Sequence, residues 1–265
     1  MFAEPIPPAA LAFTLQVEAL FDALMRTAEL GPGAEPSLGG KLIYACEFDA
    51  QARALLVANN IAGAASLAAT ADTAAHKQAI RDGVADFAVN SLDEALRILK
   101  NEIRKREPVA VCVGASPLDV EREMMERGVL PDFLPITTLS RVQDFNAAWD
   151  DVPRIELSPA QDERTLVTWR VNSAPAQWLP KLDAIAMDLL RDAEEREAAT
   201  ARRWLRLAPR YLGRLSQGVR VLRCDDESAI QFVERVRGAV ERGEIGVPVE
   251  IRVDRHNDIF IFGPA

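Results

Sequence analysis

Histidine, cysteine and long apolar runs are scarce in this 265-residue chain. It has two histidines and three cysteines, and Cys46, Cys112 and Cys224 lie far apart in the sequence. This leaves no closely spaced set of zinc ligands, so no metal site is predicted. An odd number of scattered cysteines favours reduced, buried thiols over a disulfide framework.

Positive charge is also in deficit, since the formal net charge is −9. That balance disfavours nucleic acid and anionic membranes as general partners. No run approaches the 18 apolar residues of a membrane span, and residues 1–8 lack the basic start of a signal peptide. We therefore expect a cytoplasmic protein without a membrane partner.

The hydrophobic residues, 49% of the chain, fall into short runs that alternate with helical patterns between residues 39 and 150. Strands are predicted over 42–45, 65–69, 85–89, 109–113 and 132–136, and helices over 50–60, 73–82, 92–106 and 117–127. Ser91 followed by Glu94 is typical of a helix start. This alternation predicts an α/β fold, a doubly wound parallel sheet of Rossmann-like type with right-handed crossovers.

The flanking regions have other patterns. Residues 1–38 predict one amphipathic helix, over about 9–29, and a linker rich in glycine and proline. Prolines and acidic pairs interrupt the alternation over 140–163, and we place a domain boundary near 150. Residues 151–265 predict a second, smaller α+β domain.

Within this second domain, one very long helix is predicted from Ala176 to about Leu207. A later helix should be capped by Asp226 or Ser228, and a hairpin is expected over 249–262, with a ferredoxin-like topology as one candidate. So long a helix in so small a domain suggests packing across a two-fold axis. We therefore predict a homodimer.

Four short motifs occur in order between residues 40 and 132. They are Gly40-Lys41 with Ala54, Ala58, Ala62, Gly63, Ala64, Leu67 and Ala68; Asp93-Glu94-Ala95-Leu96; Gly114 with Asp119 and Val120; and Arg127-Gly128-Val129 with Pro131-Asp132. Together they resemble the central Rossmann-like domain of the urocanases (urocanate hydratases). The resemblance implies a glycine-rich turn after the first strand that binds NAD.

The chain departs from that pattern where the cofactor would bind. The five glycines of the urocanase turn correspond to Glu47, Asp49, Ala50, Ala52 and Arg53. Glycine permits positive φ and close approach of the backbone to a pyrophosphate, and carboxylates repel one. The acidic residue expected at the ribose corresponds to Thr70, and the catalytic Asp, His and Cys of the family have no counterpart. NAD is therefore disfavoured, no cofactor is expected, and we lean against an enzyme.

Polar residues at the predicted carboxyl ends of the strands still form a candidate ligand site. They are Glu47, Asp49, Arg53, Thr70, Asp72, Gly114, Ser116 and Thr138. Two carboxylates would suit a cationic or amine-bearing small molecule, with Arg53 as an internal counter-ion. The alternative, which the pattern favours, is a solvated loop in which Asp49 is the N-cap of the first helix.

Three further groups have a chemical interpretation and a structural one. Cys112 is either a nucleophile or a buried thiol, and the buried thiol is favoured. Asp254, His256 and Asp258 either chelate a metal or form a polar hairpin tip, and the hairpin tip is favoured. Arg202, Arg203, Arg206 and Arg210 could bind an anion or nucleic acid. A solvated or oligomer-facing helix end paired with upstream glutamates is favoured there.

The main functional hypothesis is a urocanase-like protein that has lost NAD binding and hydratase catalysis and serves in binding or structure. The alternative is a small-molecule enzyme or sensor that uses the carboxyl ends of the strands, with a urocanate hydratase-like lyase as its extreme form.

Overall fold

The structure is a computed structural model, and it describes residues 8–28, 35–136, 149–157, 164–191, 195–216, 218–255 and 258–264. Two compact units make up the chain, one formed by Gln16–Ala160 and the other by Met1–Leu15 with Gln161–Ala265. The predicted domain limits at 38 and 150 stay predictions. Across the described ranges, no helix combines the length and the apolar character that crossing a membrane requires.

The first unit is an α/β fold around a four-stranded parallel sheet in the order β1–β2–β4–β3. Its sheet and helices confirm the predicted Rossmann-like class. In chain order the elements are α1 (Pro8–Thr27, which begins in the other unit), β1 (Leu42–Glu47), α2 (Ala50–Ala62), β2 (Ala65–Ala69), α3 (Thr73–Arg81), β3 (Phe87–Val89), α4 (Leu92–Lys105), β4 (Val109–Val113), α5 (Pro117–Glu126), β5 (Leu134–Pro135) and β6 (Arg154–Ile155).

The strands of this sheet are apolar on both faces because helices cover both. Every residue of β2 and β4 is buried. Alternate strand residues such as Tyr44, Leu67 and Val111 belong to one apolar cluster with residues of α4 and α5. Helix α2 packs against β1, β2 and β4, and the right-handed crossover rule places it on the opposite face.

Local sequence signals place the helix starts. The side chains of Asp49, Asp72, Ser91 and Ser116 accept backbone hydrogen bonds at the N-termini of α2, α3, α4 and α5. Gly63 ends α2 in the left-handed conformation at φ 91°, which glycine adopts without a steric penalty. Strand β5 is shorter than the predicted 132–136 strand and pairs with β6, while a single bridge joins Phe133 to Ile43 of β1.

The second unit contains an antiparallel sheet in the order β10–β9–β7–β8, with helices. This confirms a separate region of helices and antiparallel strands. Its elements are β7 (Thr165–Val171), α6 (Pro175–Leu189), α7 (Arg196–Leu212), a 3₁₀ turn (Gly213–Ser216), β8 (Val219–Cys224), α8 (Asp226–Glu241), β9 (Val249–Val253) and β10 (Asp258–Phe262).

The prediction of one long helix from Ala176 to Leu207 is wrong, since α6 ends at Leu189 and α7 begins at Arg196. The two helices pack against each other, and the guanidinium of Arg202 donates to the carbonyl of Leu190 at the end of α6. The argument for a homodimer from helix length is therefore lost.

Two smaller expectations for this unit are also wrong. Asp225, rather than Asp226 or Ser228, caps α8, and its carboxylate accepts the Ser228 N–H at 2.7 Å. The sheet is not ferredoxin-like, because β7 and β8, which α6 and α7 connect, are adjacent and antiparallel. A split βαβ unit would hold another strand between them.

Candidate functional site

The turn after β1 is shaped by an irregularity in the strand itself. The register between β1 and β2 shifts between Tyr44 and Cys46, and Cys46 has φ 63°. A positive φ is uncommon for a residue with a Cβ and concentrates where the surrounding structure imposes it. The next residues return to the sheet, because the Phe48 N–H donates to Ala69 O at 2.8 Å. Phe48 itself is 5% exposed, so this residue of the turn is buried.

Asp49 occupies the amino-terminal end of α2 with its own carboxylate. Its Oδ1 accepts the Ala52 N–H at 2.8 Å, as the N-cap alternative predicts. Arg53, one turn into α2, forms an ion pair with Asp82 at 2.5 Å and places its guanidinium 5.9 Å from the centre of the Phe48 ring. The Arg53 guanidinium therefore binds at the end of α3, away from its predicted role as counter-ion to Glu47 and Asp49.

The strand order places the switch point of this sheet, the position at which such folds form a ligand crevice, between the carboxyl ends of β2 and β4. The chain leaving β2 continues past β4 towards β3, whereas the chain leaving β4 returns past β2 and β1 towards β5. With right-handed crossovers, α3 and α5 then lie on opposite faces of the sheet. Adjacent strands whose following helices lie on opposite faces form the usual ligand crevice of such sheets.

Four of the predicted site residues meet at this edge, and most of their polar groups are used locally. Thr70 is buried, and its backbone N–H donates to Val113 O at 3.0 Å. Asp72 caps α3 through the Ala74 N–H at 2.7 Å, and the Ser116 hydroxyl donates to Asp119 at 2.6 Å. Gly114 is exposed beside them. Thr138, the eighth predicted site residue, lies outside the described residues.

Two side chains that the sequence did not single out for this crevice lie against Gly114. A Cβ on Gly114 would lie 3.2 Å from His76 Cε1 and 3.5 Å from Asn90 Oδ1. The imidazole is held by His76 Nε2, which lies 3.1 Å from the carbonyl oxygen of Cys112. Glycine at 114 thus allows the His76 ring to approach the backbone. His76 is 36 residues away from Cys112 in the sequence, so no spacing rule would have joined them.

A buried polar cluster lies beneath the β1 turn, on the α5 face of the sheet. The Tyr44 hydroxyl donates to Glu121 Oε1 at 3.0 Å, and Cys46 Sγ lies 3.2 Å from the same oxygen. Glu121 is 2% exposed, and the Trp149 ring packs edge-on against Tyr44 at 5.8 Å. Burial, followed by the neighbouring Cys46 and Glu121, raises the pKa of Tyr44 well above its usual value.

The sequence did contain a signal for Glu121. The buried residues of α5 are Pro117, Val120, Glu121 and Met124, at the spacing of one helical face. A carboxylate at a core position of such a stripe requires a donor, because an ionised group buried without hydrogen bonds is costly. Tyr44 supplies that donor from β1.

Residues 34–140 match the sequence model of the urocanase Rossmann-like domain. The chain contains a urocanase Rossmann-like domain. The match covers the sheet from β1 to β5, the β1 turn and the crevice between β2 and β4.

The motif residues of the urocanase Rossmann-like domain make scaffold contacts here. Asp132 Oδ2 accepts the Leu42 N–H at 2.8 Å and Oδ1 lies 3.3 Å from Lys41 Nζ, which ties the segment before β5 to the start of β1. Arg127 forms ion pairs with Asp93 of α4 and with Glu123. These contacts connect the motifs to one another.

The remaining predicted sites are placed as follows. Cys112 and Cys224 are buried, and burial raises the pKa of each thiol to about 12. Asp254 accepts the Leu166 N–H at 3.0 Å at the hairpin end, while His256 lies outside the described residues. Within the described part of the chain, no group of three or more acidic, histidine or cysteine side chains is arranged to hold a metal ion.

The four arginines of α7 do not share one surface. Arg203 is 8% exposed and Arg202 binds Leu190 O, whereas Arg206 and Arg210 are exposed. The Arg210 guanidinium lies 5.2 Å from the centre of the Tyr211 ring. Anion binding by these residues stays a prediction, with Arg206 and Arg210 as its accessible members.

Proposed function

We propose that this protein uses its urocanase Rossmann-like domain as a binding or structural module, without NAD and without hydratase catalysis. The observation that carries the proposal is the Asp49 carboxylate at the N-terminus of α2. A dinucleotide pyrophosphate bound in the Rossmann manner would accept hydrogen bonds from this same helix end. Here the Ala52 N–H is already bonded to Asp49 Oδ1.

The rest of the turn supports the same proposal. Phe48 of the turn is buried, and Glu47 adds a second carboxylate to this turn. Two unit charges 4 Å apart repel by about 1 kcal/mol even in bulk water, and a pyrophosphate adds further negative charge. The residues present therefore do not fit the cofactor. The motif residues that remain, Asp132 and Arg127 among them, stabilise the scaffold.

The direct test is to denature the purified protein and to measure released nicotinamide dinucleotide and urocanate hydration by the native protein. We expect neither. Stoichiometric dinucleotide, or turnover of urocanate above the uncatalysed rate, would refute the proposal. A paired variant, E47G/D49G, tests the cause, because removal of both carboxylates should raise NAD affinity above that of the wild type. The matched control is D72G, which removes a carboxylate N-cap from α3 and should leave NAD affinity unchanged.

A second candidate function is a small-molecule sensor or enzyme at the crevice between β2 and β4. The observation that favours it is the meeting of His76 and Asn90 at exposed Gly114. An imidazole and an amide can together orient a small polar ligand. Glu47, Asp49 and Arg53 belong to the neighbouring β1 turn and are not required for it.

A metabolite screen by thermal shift would test this second function. A ligand of the crevice should raise the melting temperature of the wild type, and G114A should abolish the effect because a Cβ there would contact the His76 ring. E47Q/D49N serves as the control and should keep the response. Loss of the response in the control but not in G114A would assign the ligand to the β1 turn instead.

A further inference from the structure

Strand β10 forms one edge of the antiparallel sheet. Among the described residues it pairs with β9 alone, from Asp258 opposite Val253 to Phe262 opposite Val249. The other side of an edge strand directs backbone N–H and C=O groups outward, which is a template for pairing with a further strand.

The side chains of β10 are unusually apolar for such an edge. Ile259 and Ile261 lie on one face and are 55% and 72% exposed. Phe260 and Phe262 lie on the other face, half-buried, with stacked rings whose centroids are 6.3 Å apart. Edge strands are usually protected by lysine, by proline or by a bulge. Between Asp258 and Phe262 there is none of these.

We propose that β10 pairs with β10 of a second copy of this chain, antiparallel, about a two-fold axis at Phe260. The two antiparallel sheets then join into one continuous sheet. This interface does not depend on the function proposed above for the other unit. The reason for proposing a homodimer is now the exposed edge of the sheet and no longer the length of a helix.

The sequence of β10 matches itself in this register. All five residues pair, and Ile259 lies opposite Ile261 of the partner subunit on the same face of the sheet, with the reciprocal contact made by symmetry. Ile–Ile contacts of this kind bury the two exposed isoleucines of the strand. The interface is isologous and therefore closes as a dimer.

The charge of β10 favours the antiparallel over the parallel orientation of the two copies. Asp258 is the only charged residue of β10. Antiparallel pairing puts the two Asp258 carboxylates at opposite ends of the paired strands, whereas parallel pairing in register would place them side by side. Like charges directly opposite each other destabilise a strand pair. The antiparallel homodimer therefore has no charge conflict along its length.

Sedimentation equilibrium of the full chain over a range of concentrations tests the proposal. The wild type should reach twice the chain mass of 29.1 kDa. I261K places a charge on the exposed edge, and natural edge strands avoid pairing by carrying such charges. The variant should raise the dimer dissociation constant at least about tenfold. Because Ile261 is largely exposed, this variant should keep the wild-type circular dichroism spectrum and melting temperature of the monomer.

The matched control is I80K, the same change at an isoleucine of α3 that is 43% exposed. It should leave the dissociation constant unchanged. A wild type that stays monomeric at the highest concentration would overturn the proposal, as would a dimer that I261K leaves intact. The register is tested by F260C with a short thiol cross-linker, since position 260 faces itself across the axis. Cross-linking in I261C but not in F260C would overturn the register.

Discussion

Tyr44 and Glu121 place a phenol against a carboxylate inside the parallel-sheet unit, 3.0 Å apart. The pair joins β1 to α5, and Cys46 approaches the same oxygen from the strained end of the strand. A hydrogen bond to a buried charged group stabilises by about 1.5–3 kcal/mol, so the pair is a large part of a marginal folding free energy.

We predict that Y44F lowers the free energy of unfolding by about 1–3 kcal/mol at pH 8, because the Glu121 carboxylate loses its donor. Burial, then Cys46 and Glu121, raises the pKa of Tyr44 in the folded state. The stabilisation that Tyr44 contributes is thus complete below a pH of about 10, the usual pKa of tyrosine in an unfolded chain. It is lost as the pH rises from there through the raised pKa of the folded state. The difference in the free energy of unfolding between wild type and Y44F, measured by urea titration, should therefore decrease from pH 8 to pH 11. A constant difference would contradict this prediction.

The three cysteines should be unreactive in the native protein. All are buried, and the thiols of Cys112 and Cys224 have pKa values of about 12, so almost no thiolate is present at pH 7.5. An aromatic disulfide reagent should label no thiol in the native protein and all three in urea. Labelling of Cys112 in the native protein at the rate seen in urea would restore its interpretation as a nucleophile.

At the scale of single elements, the N-termini of α2 and α3 determine what can bind at the carboxyl ends of the strands. Each helix begins at an aspartate that satisfies its own first turn. A helix N-terminus with a built-in carboxylate has less affinity for an external anion, because the donors and the positive end of the dipole are already compensated.

We predict that D49A destabilises the protein by about 1 kcal/mol, the usual cost of losing an N-cap, and that D49N changes stability by a few tenths at most because asparagine caps equally well. Urea unfolding of the two variants at neutral pH measures the difference. If D49A and D49N were equally destabilised, the charge of Asp49 rather than its capping geometry would be important.

At the scale of the whole molecule, the net charge of −9 opposes the arginines of α7. We predict no binding to double-stranded DNA at physiological salt, since the sequence-independent part of such binding comes from phosphate neutralisation. Any binding at low salt should fall steeply as salt is added, and R206E/R210E should abolish it. Fluorescence anisotropy with labelled DNA measures both. Binding at physiological salt that R206E/R210E abolishes would contradict the prediction and favour the anion-binding hypothesis.

Much of the fold could be read from local patterns in the sequence. The strands β2 and β4 have the predicted limits, 65–69 and 109–113, because all their residues are apolar and turns bound them. The helix starts at Asp49, Ser91 and Ser116 follow from side chains that bond within three residues. The site was predicted less well. Thr70, Asp72, Gly114 and Ser116 do share an edge, but His76, Asn90 and Glu121 were missed because they reach it from distant segments.

The sequence by itself determined where most strands and helices form, and that the β1 turn carries Glu47 and Asp49, because both depend on neighbouring residues. Only the tertiary structure decided that β4 lies between β2 and β3, that α6 and α7 are separate helices in contact, and that Glu121 is hydrogen-bonded to Tyr44 of β1. It also decided that β10 is an edge. The physical reason is that these features depend on which apolar surfaces bury one another, a sum over residues far apart in the chain.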